Sequence, residues 1–415
     1  MFRRLLSFDE AKQLLEQSFS SVPVGEEQVS ISDAYDRVLA QDVVSPIDIP
    51  PFSRSTVDGY AVKAADTFGA SEDKDINLRF CGHVAIGEAP AVTVEEGSAA
   101  EIVTGAPLPD GADAVIMVEY TSRQGENIFV RRPVASNTNI MAKGSDILKG
   151  ETVLKKGRIL GSREIGALAA IGLTDVTVYR RPKVAVLSTG GEVVELGTVL
   201  PPGKIFDINA HTLSAAVVEC GGEAINLGIF PDEKDMLKRA LEEALASSDV
   251  VLTSGGVSVG PKDFTPQVVD SLGKPGVIIS GVAVKPGKPL TIAVVEGKPV
   301  FSLPGNPTSS LFMFTVFVRP ILLRLAGRTE EEMPKVKAVA AQKMFPARGR
   351  RTFTMVNLAY NKDGTLLVSP VSTGLSGAIT TMTKADGFVE ISEKQQFVDA
   401  GTEIDVFLFK KLKKP

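Results

Sequence analysis

Residues 250–263 read VVLTSGGVSVGPKD, and the rest of the chain is ordered around them. Val250, Val251 and Leu252 form an apolar run of strand character that passes straight into Thr253, Ser254, Gly255 and Gly256. A buried strand that empties into glycines, with helical pattern resuming near Asp263, sets backbone N–H groups at the carboxyl edge of a sheet. Ligands of open α/β sheets bind at that edge, and free N–H groups there suit phosphate. Residues 300–311, VFSLPGNPTSSL, repeat the strand–turn–helix pattern toward the same edge. A glycine turn needs no ligand to explain it. Two such turns, each closing an apolar strand, favour an anion or nucleotide cleft lined by Ser254, Gly255, Gly256, Ser258, Pro304, Gly305 and Asn306.

Around this loop, strands and helices alternate. Strand Val184–Leu187, a helix near Asn209–Glu219 stopped by Gly221-Gly222, strand Ala224–Leu227 and helix Asp232–Ala246 precede it. Helix Thr308–Leu325 follows. This rhythm predicts a three-layer parallel α/β domain over 180–328. Residues 329–415 read as a small C-terminal β domain, from runs such as RTFTMVNLAY and EIDVFLF. Residues 45–144 read as short strands and turns, an inserted β-rich domain. Its flanks, 1–44 and 145–179, are expected to pack together as a helical and extended linking domain. They hold a capped helix from Ser7, a short helix over Ser32–Leu39 and a helix over Ser162–Ile171 with Gly172 just beyond it.

At 415 residues the chain is too long for one core, because single cores rarely exceed about 250–300 residues. A net charge of −5 argues against a general nucleic-acid surface. Two cysteines, Cys81 and Cys220, exclude a disulfide framework and fit a reducing compartment. No apolar run approaches the roughly 18–20 residues of a membrane span, so a cytoplasmic location is expected.

Four carboxylates fall in loops of the α/β domain: Glu192 after STGG, Asp207 in IFDIN, Asp232 after Phe230-Pro231, and Asp263. Each has a plain reading as a helix cap. Together, beside phosphate-binding amides, they are what a Mg²⁺-nucleotide site requires, since Mg²⁺ bridges carboxylate and phosphate oxygens. Lys285 and Lys288 share a Pro-Gly turn, and Arg348, Arg350 and Arg351 cluster before a strand. Ser376 lies in GLSG of the same C-terminal region. Fork-shaped and point cations with a hydroxyl suit a small oxyanion, although solvated surface charge is the simpler account of each. Asp58-Gly59 reads as a turn, and Thr104 supplies one hydroxyl in a second Gly/Pro turn.

Seven motifs in order resemble the MoeA family of molybdenum-insertion enzymes, which includes the E domains of gephyrin and its plant counterpart. They are PPFSRSTVDGYAV (50–62), VTGAPLPDGADAVIMVE (103–119), STGGE (188–192), FDIN (206–209), TSGGVSVGPKD (253–263), KPGKP (285–289) and LPGNP (303–307). The resemblance spans nearly the whole chain. It implies a homodimer of four-domain chains whose third domain is similar to molybdopterin adenylyltransferase. It implies a Mg²⁺-dependent reaction of adenylylated molybdopterin with molybdate, giving molybdenum cofactor and AMP. The adenylyltransferase and molybdoenzyme acceptors are the implied protein partners.

By position, Glu192, Asp232 and Asp263 resemble the acidic residues of the nucleotide–Mg²⁺ cleft. Asp58 and Thr104 resemble residues that reach that cleft from the partner subunit. Lys285, Lys288, Arg350 and Ser376 resemble the set that binds molybdate or the terminal phosphate. The chain departs from the family in carrying Gly191 before Glu192, where the family usually has Asp. A tungstate-handling enzyme would read the same way. A pure scaffold would not need Glu192, Asp263, Lys285 and Lys288 together, and the adenylyltransferase step would not need the additional β domains.

Overall fold

The computed structural model describes residues 5–256, 264–329, 333–372 and 377–409. The chain divides into two compact units, one holding 28–35 with 39–177 and the other 1–27, 36–38 and 178–415.

In the larger unit the sheet forms as the sequence pattern predicts. We label its strands β1 (Lys183–Thr189), β2 (Glu223–Phe230), β3 (Val250–Ser254), β4 (Pro275–Ser280), β5 (Thr291–Val295) and β6 (Lys298–Leu303). Their order is β2-β1-β3-β6-β5-β4. Register is parallel across the first four, with Phe230 opposite Thr189, Ser188 opposite Ser254, and Ser254 opposite Leu303. Four carboxyl ends therefore meet at one edge. The remaining two strands run antiparallel to their neighbours, a departure from an all-parallel sheet. Its cause is local. Glu296 and Gly297 both adopt positive φ (50° and 81°), which closes β5 onto β6 in a two-residue hairpin.

Helices α1 (Ile208–Glu219), α2 (Lys234–Ser247), α3 (Thr265–Asp270) and α4 (Pro307–Leu325) cover the sheet. Gly221 ends α1 as expected. Its φ is +83°, and Gly222 N–H bonds back to Val217 C=O at 3.0 Å, a Schellman closure. By length and composition α4 is apolar enough to cross a membrane, contrary to the sequence expectation, yet 72% of that apolar window is buried. It is a core helix. Phe314–Val318 forms a π turn within it, one turn before Pro320. Proline offers no N–H to the Val316 carbonyl, and the wider turn absorbs that loss.

The N-terminal helix Phe8–Ser18 forms with its capping box intact: Glu10 N–H to Ser7 Oγ is 3.2 Å, and Ser7 N–H to Glu10 Oε2 is 2.8 Å. It packs differently from the sequence expectation. Phe8, Ala11 and Leu15 are buried with Phe312, Phe317 and Phe353 in the larger unit's core, rather than in a linking domain with 145–179. In the C-terminal part of this unit, strands 351–360, 366–370, 335–340, 403–408 and 387–391 pair in that order. The last pairs again with the first, which closes a barrel. Val356, Val368, Val389 and Val406 fill it.

The smaller unit carries a six-stranded sheet ordered 114–117, 59–62, 98–102, 76–84, 127–130, 121–124. Its helix Ser162–Ala170 ends on Gly172 at φ +78°, as predicted. The short helix expected over Ser32–Leu39 is absent. A 3-10 turn at Ile31–Asp33 stands there instead, and Asp36 adopts φ 59°, which no helix accommodates.

Candidate functional site

Backbone packing dictates the glycines at the carboxyl edge. Gly255 and Gly256 follow β3 at φ +95° and +61°, and a Cβ on Gly255 would lie 2.3 Å from the Thr189 carbonyl. On Gly256 it would lie 2.4 Å from Thr265 Oγ1. No side chain fits at either position, so the β3 loop runs tight against the β1 and α3 ends. Gly255 N–H bonds to Leu303 C=O at 3.2 Å, and a Cβ on Gly305 would sit 3.7 Å from Gly255 Cα. The 253–256 and 303–307 loops thus meet, with Pro304 buried and Gly305 and Asn306 exposed.

Asn209 ties them, a role the sequence reading missed. Its Nδ2 donates to Ser254 Oγ and to Gly305 C=O, both at 2.7 Å. Its Oδ1 is buried and has no partner among the described residues, as are Ser188 Oγ and Thr189 Oγ1 beside it in the sheet edge. The signal was visible only as the last letter of FDIN. Asp207, the second residue of that motif, is buried and accepts from Ala210 N–H at 3.0 Å as the cap of α1.

Glu192 and Asp232 are both exposed, three residues past Thr189 and two past Phe230 on adjacent parallel strands. Asp232 does not cap α2; the cap position is Glu233, which makes no side-chain cap bond. Asp263, Ser258 and Ser376 lie outside the described residues. Among the described residues no three His, Cys, Asp or Glu side chains gather around a common point. Mg²⁺ held by one or two carboxylates, water and substrate phosphate would need no such cage, and exposed carboxylate oxygens at the sheet edge would fit it.

Four of the predicted residues come together elsewhere in the same unit. Lys285, Lys288, Asn306 and Arg350 line one cavity of about 460 Å³, between the 284–289 turn, the start of α4 and the barrel strand 351–360. Backbone pairing fixes the turn: Val284 and Lys285 run parallel to Arg351 and Thr352. Thr352 Oγ1 accepts from Ala347 N–H at 2.9 Å and donates to Arg350 C=O at 3.1 Å, which clamps the loop that presents Arg350. The structure also separates the two neighbouring arginines. Arg351 is bidentate to Asp9 at 2.8 and 2.7 Å and reaches Glu393 at 3.2 Å and Glu390 at 3.3 Å. The Asp9 bond holds its guanidinium pKa above the usual value despite burial. Arg351 is a fold-holding residue, and Arg350 is the one at the cavity.

In the smaller unit Asp58 and Thr104 are partners. Asp58 Oδ1 accepts from Thr104 N–H at 2.7 Å and from its hydroxyl at 2.9 Å. The backbone bond first, then the hydroxyl, hold this exposed carboxylate below the usual aspartate range. The Asp58-Gly59 pair is therefore not a simple turn. Gly59 begins a strand, and a Cβ there would lie 1.8 Å from the Ile116 carbonyl.

Comparison with known proteins follows the same three-part division. Residues 6–172 match the MoeA N-terminal region (domain I and II), 185–324 a probable molybdopterin binding domain, and 337–409 the MoeA C-terminal region (domain IV). The molybdopterin molybdenumtransferase of Haemophilus influenzae is 34% identical over 98% of this chain and 100% of its own length. That of Staphylococcus aureus (strain MSSA476) is 32% identical over 98% and 96%. Two solved MoeA proteins of molybdopterin biosynthesis from Pyrococcus horikoshii align at TM-scores of 0.84 and 0.78, with 43% and 33% identity. They cover 99% and 98% of this chain and all of their own. With full-length matches of this kind and the motif loops meeting at one sheet edge, the chain belongs to the MoeA family of molybdopterin molybdenumtransferases, enzymes of molybdenum cofactor biosynthesis whose substrates are molybdopterin and molybdate.

Proposed function

We propose that the chain inserts molybdate into adenylylated molybdopterin in a Mg²⁺-dependent step that cleaves the pyrophosphate bond and releases AMP. The observation that carries this reading is the cavity that collects Lys285, Lys288, Asn306 and Arg350. Molybdate bears two negative charges, so its site must offer cationic donors that replace bulk hydration. Lys285 and Lys288 supply point charges on a fixed turn, and Arg350 supplies a fork on a clamped loop.

The nucleotide end has a different support. Gly255, Gly256 and Gly305 bring bare main chain together at the carboxyl edge, where phosphate oxygens accept N–H donors. Glu192 and Asp232, with Asp263, would hold Mg²⁺, which when bound offsets charge on the pyrophosphate and its leaving oxygen. The chain's own groups orient the phosphates and keep the oxyanion beside the pterin. Arg350→Ala should raise the molybdate concentration for half-maximal insertion by about tenfold to a hundredfold, the loss of one charge-assisted hydrogen bond. AMP release, assayed with and without Mg²⁺, should keep its affinity for adenylylated molybdopterin. If dinucleotide affinity falls and molybdate dependence does not, Arg350 serves the phosphates and this division of the site is wrong.

We also infer a cytosolic homodimer whose clefts are shared. The support is the Asp58–Thr104 pair, a rigid, exposed and ionised carboxylate in the unit that lacks the nucleotide loops. Mixing Asp58→Ala chains with Glu192→Ala chains should then restore part of the activity, because one cleft of the heterodimer is intact. Purely additive loss, with the mixed dimer demonstrably formed, would count against sharing.

A further inference from the structure

We propose that the cavity at the barrel holds the pterin ring of the substrate beside the oxyanion, and that Phe345 is the surface on which the ring stacks. The proposal rests on the oxyanion reading of Lys285, Lys288 and Arg350 given above and names the rest of what the cavity takes.

Volume is the first argument. A tetrahedral oxyanion has five heavy atoms and needs roughly the space of three waters, under about 100 Å³. The cavity measures about 460 Å³, within the range of about 300–1,000 Å³ typical of sites for drug-sized molecules. An oxyanion alone leaves most of it unused.

The walls say what fills the remainder. Beside the cations and the hydroxyls of Thr308, Ser309 and Thr354, the lining includes an apolar stretch of Phe345, Phe353, Met355, Pro289 and Val371. Apolar wall gives an oxyanion nothing in return for lost hydration, whereas a planar heteroaromatic ring gains from the same contact. Phe353 is buried in the core, but Phe345 is 70% exposed. It is nevertheless held in place. Met344 and Val398 exchange backbone hydrogen bonds in both directions at 2.9 Å. Phe397 meets the Phe345 ring edge-on at 6.5 Å and 65°, and Lys343 Nζ lies 3.5 Å from the Phe397 centroid. An aromatic ring carried on pinned backbone and open to the cavity has less freedom to lose when a ligand stacks on it.

Reaction chemistry selects which ring. The metal is transferred to the dithiolene that the pterin carries, so the pterin-bearing end of the substrate must lie beside the oxyanion. The adenine lies on the far side of the pyrophosphate and has no such requirement. Pterin is therefore the ring for the Phe345 face.

The full-length protein and three variants decide it. A free pterin such as 6-hydroxymethylpterin is titrated by its fluorescence, and molybdate is titrated separately by calorimetry. Phe345→Ala should weaken pterin binding by about fivefold to tenfold, the worth of one ring–aromatic stack. Phe345→Tyr keeps the ring face and should stay within about twofold of wild type. Molybdate affinity should be unchanged in both. Pterin affinity unaltered by Phe345→Ala, or molybdate affinity falling in step with it, overturns the proposal. Arg350→Ala is the control on the underlying reading: molybdate affinity unaltered there removes the oxyanion assignment, while a selective pterin loss in Phe345→Ala would still place the ring.

Discussion

The carboxyl edge of the sheet and the cavity at the barrel lie in one unit but are made of different atoms. At the edge the surface is main chain: a Cβ on Gly255 or Gly256 would clash with neighbouring backbone or hydroxyls, and one on Gly305 would touch Gly255. At the cavity it is side chain: two lysines, an arginine and an exposed phenylalanine on clamped turns. A backbone site tolerates almost no substitution, since its geometry and its packing are the same thing. A side-chain site is tunable one residue at a time. The comparison also separates the chemistry each offers, main chain at the edge and a mixed cationic and aromatic surface at the cavity.

The largest effect should come from the edge. Gly255→Ala places a Cβ 2.3 Å from the Thr189 carbonyl at φ +95°, a conformation that costs a non-glycine residue about 1–3 kcal/mol before any clash is counted. We expect cofactor formation to fall by orders of magnitude with a lowered melting temperature. A variant that melts like wild type and retains activity would show that the edge is no more rigid than the cavity, and the contrast would collapse.

The smallest effect on catalysis should come from Arg351, although it adjoins Arg350. Arg351→Ala should leave molybdate dependence near wild type and lower stability by about 1–3 kcal/mol, the cost of removing a partly buried charged hydrogen-bond partner. Its pH dependence has a definite sign. Glu393, held below the usual glutamate range by a backbone bond and by Arg351, contributes stability above its unfolded pKa and loses it as pH falls through the folded value. The melting gap between wild type and Arg351→Ala should therefore close as pH drops below the ordinary carboxylate range. A gap that persists in acid would assign the loss to packing of the guanidinium against Phe8, 5.4 Å from its ring centroid.

Local signals carried the parts of this architecture that depend on local chemistry. Gly221 and Gly172 stop helices because only glycine relaxes at that φ, and Val250–Leu252 announced β3 by composition. What escaped the sequence depends on distant partners. Ser32–Leu39 has helical periodicity, but Asp36 turns left-handed and Arg37 bonds to the Tyr179 carbonyl at 2.9 Å. Glu296 is a poor advertisement for a hairpin turn, so the antiparallel edge was unreadable. Asp207 caps α1, the plain reading its sequence allowed, while Asn209, two residues on, joins two loops 45 and 96 positions away. Four cavity residues were named from motifs, yet Phe345 was not, because an exposed phenylalanine acquires meaning only once the surface beside it is known.

The placement of Phe8 has a consequence for how the chain is made. Its ring meets Phe317 at 5.5 Å and Phe353 at 5.1 Å, and Phe353 in turn meets Phe388 at 5.8 Å. The helix Phe8–Ser18 thus takes its aromatic cover from residues of the last third of the chain. Helix α4, apolar enough to pass for a membrane span, turns Phe312 to the same barrel rings, 4.8 Å from Phe353 and 5.0 Å from Phe388. A chain that stopped before Phe353 would leave the Phe8 and Phe312 faces without their barrel ring, which marks the incomplete chain, rather than the finished enzyme, as the form most in need of a chaperone.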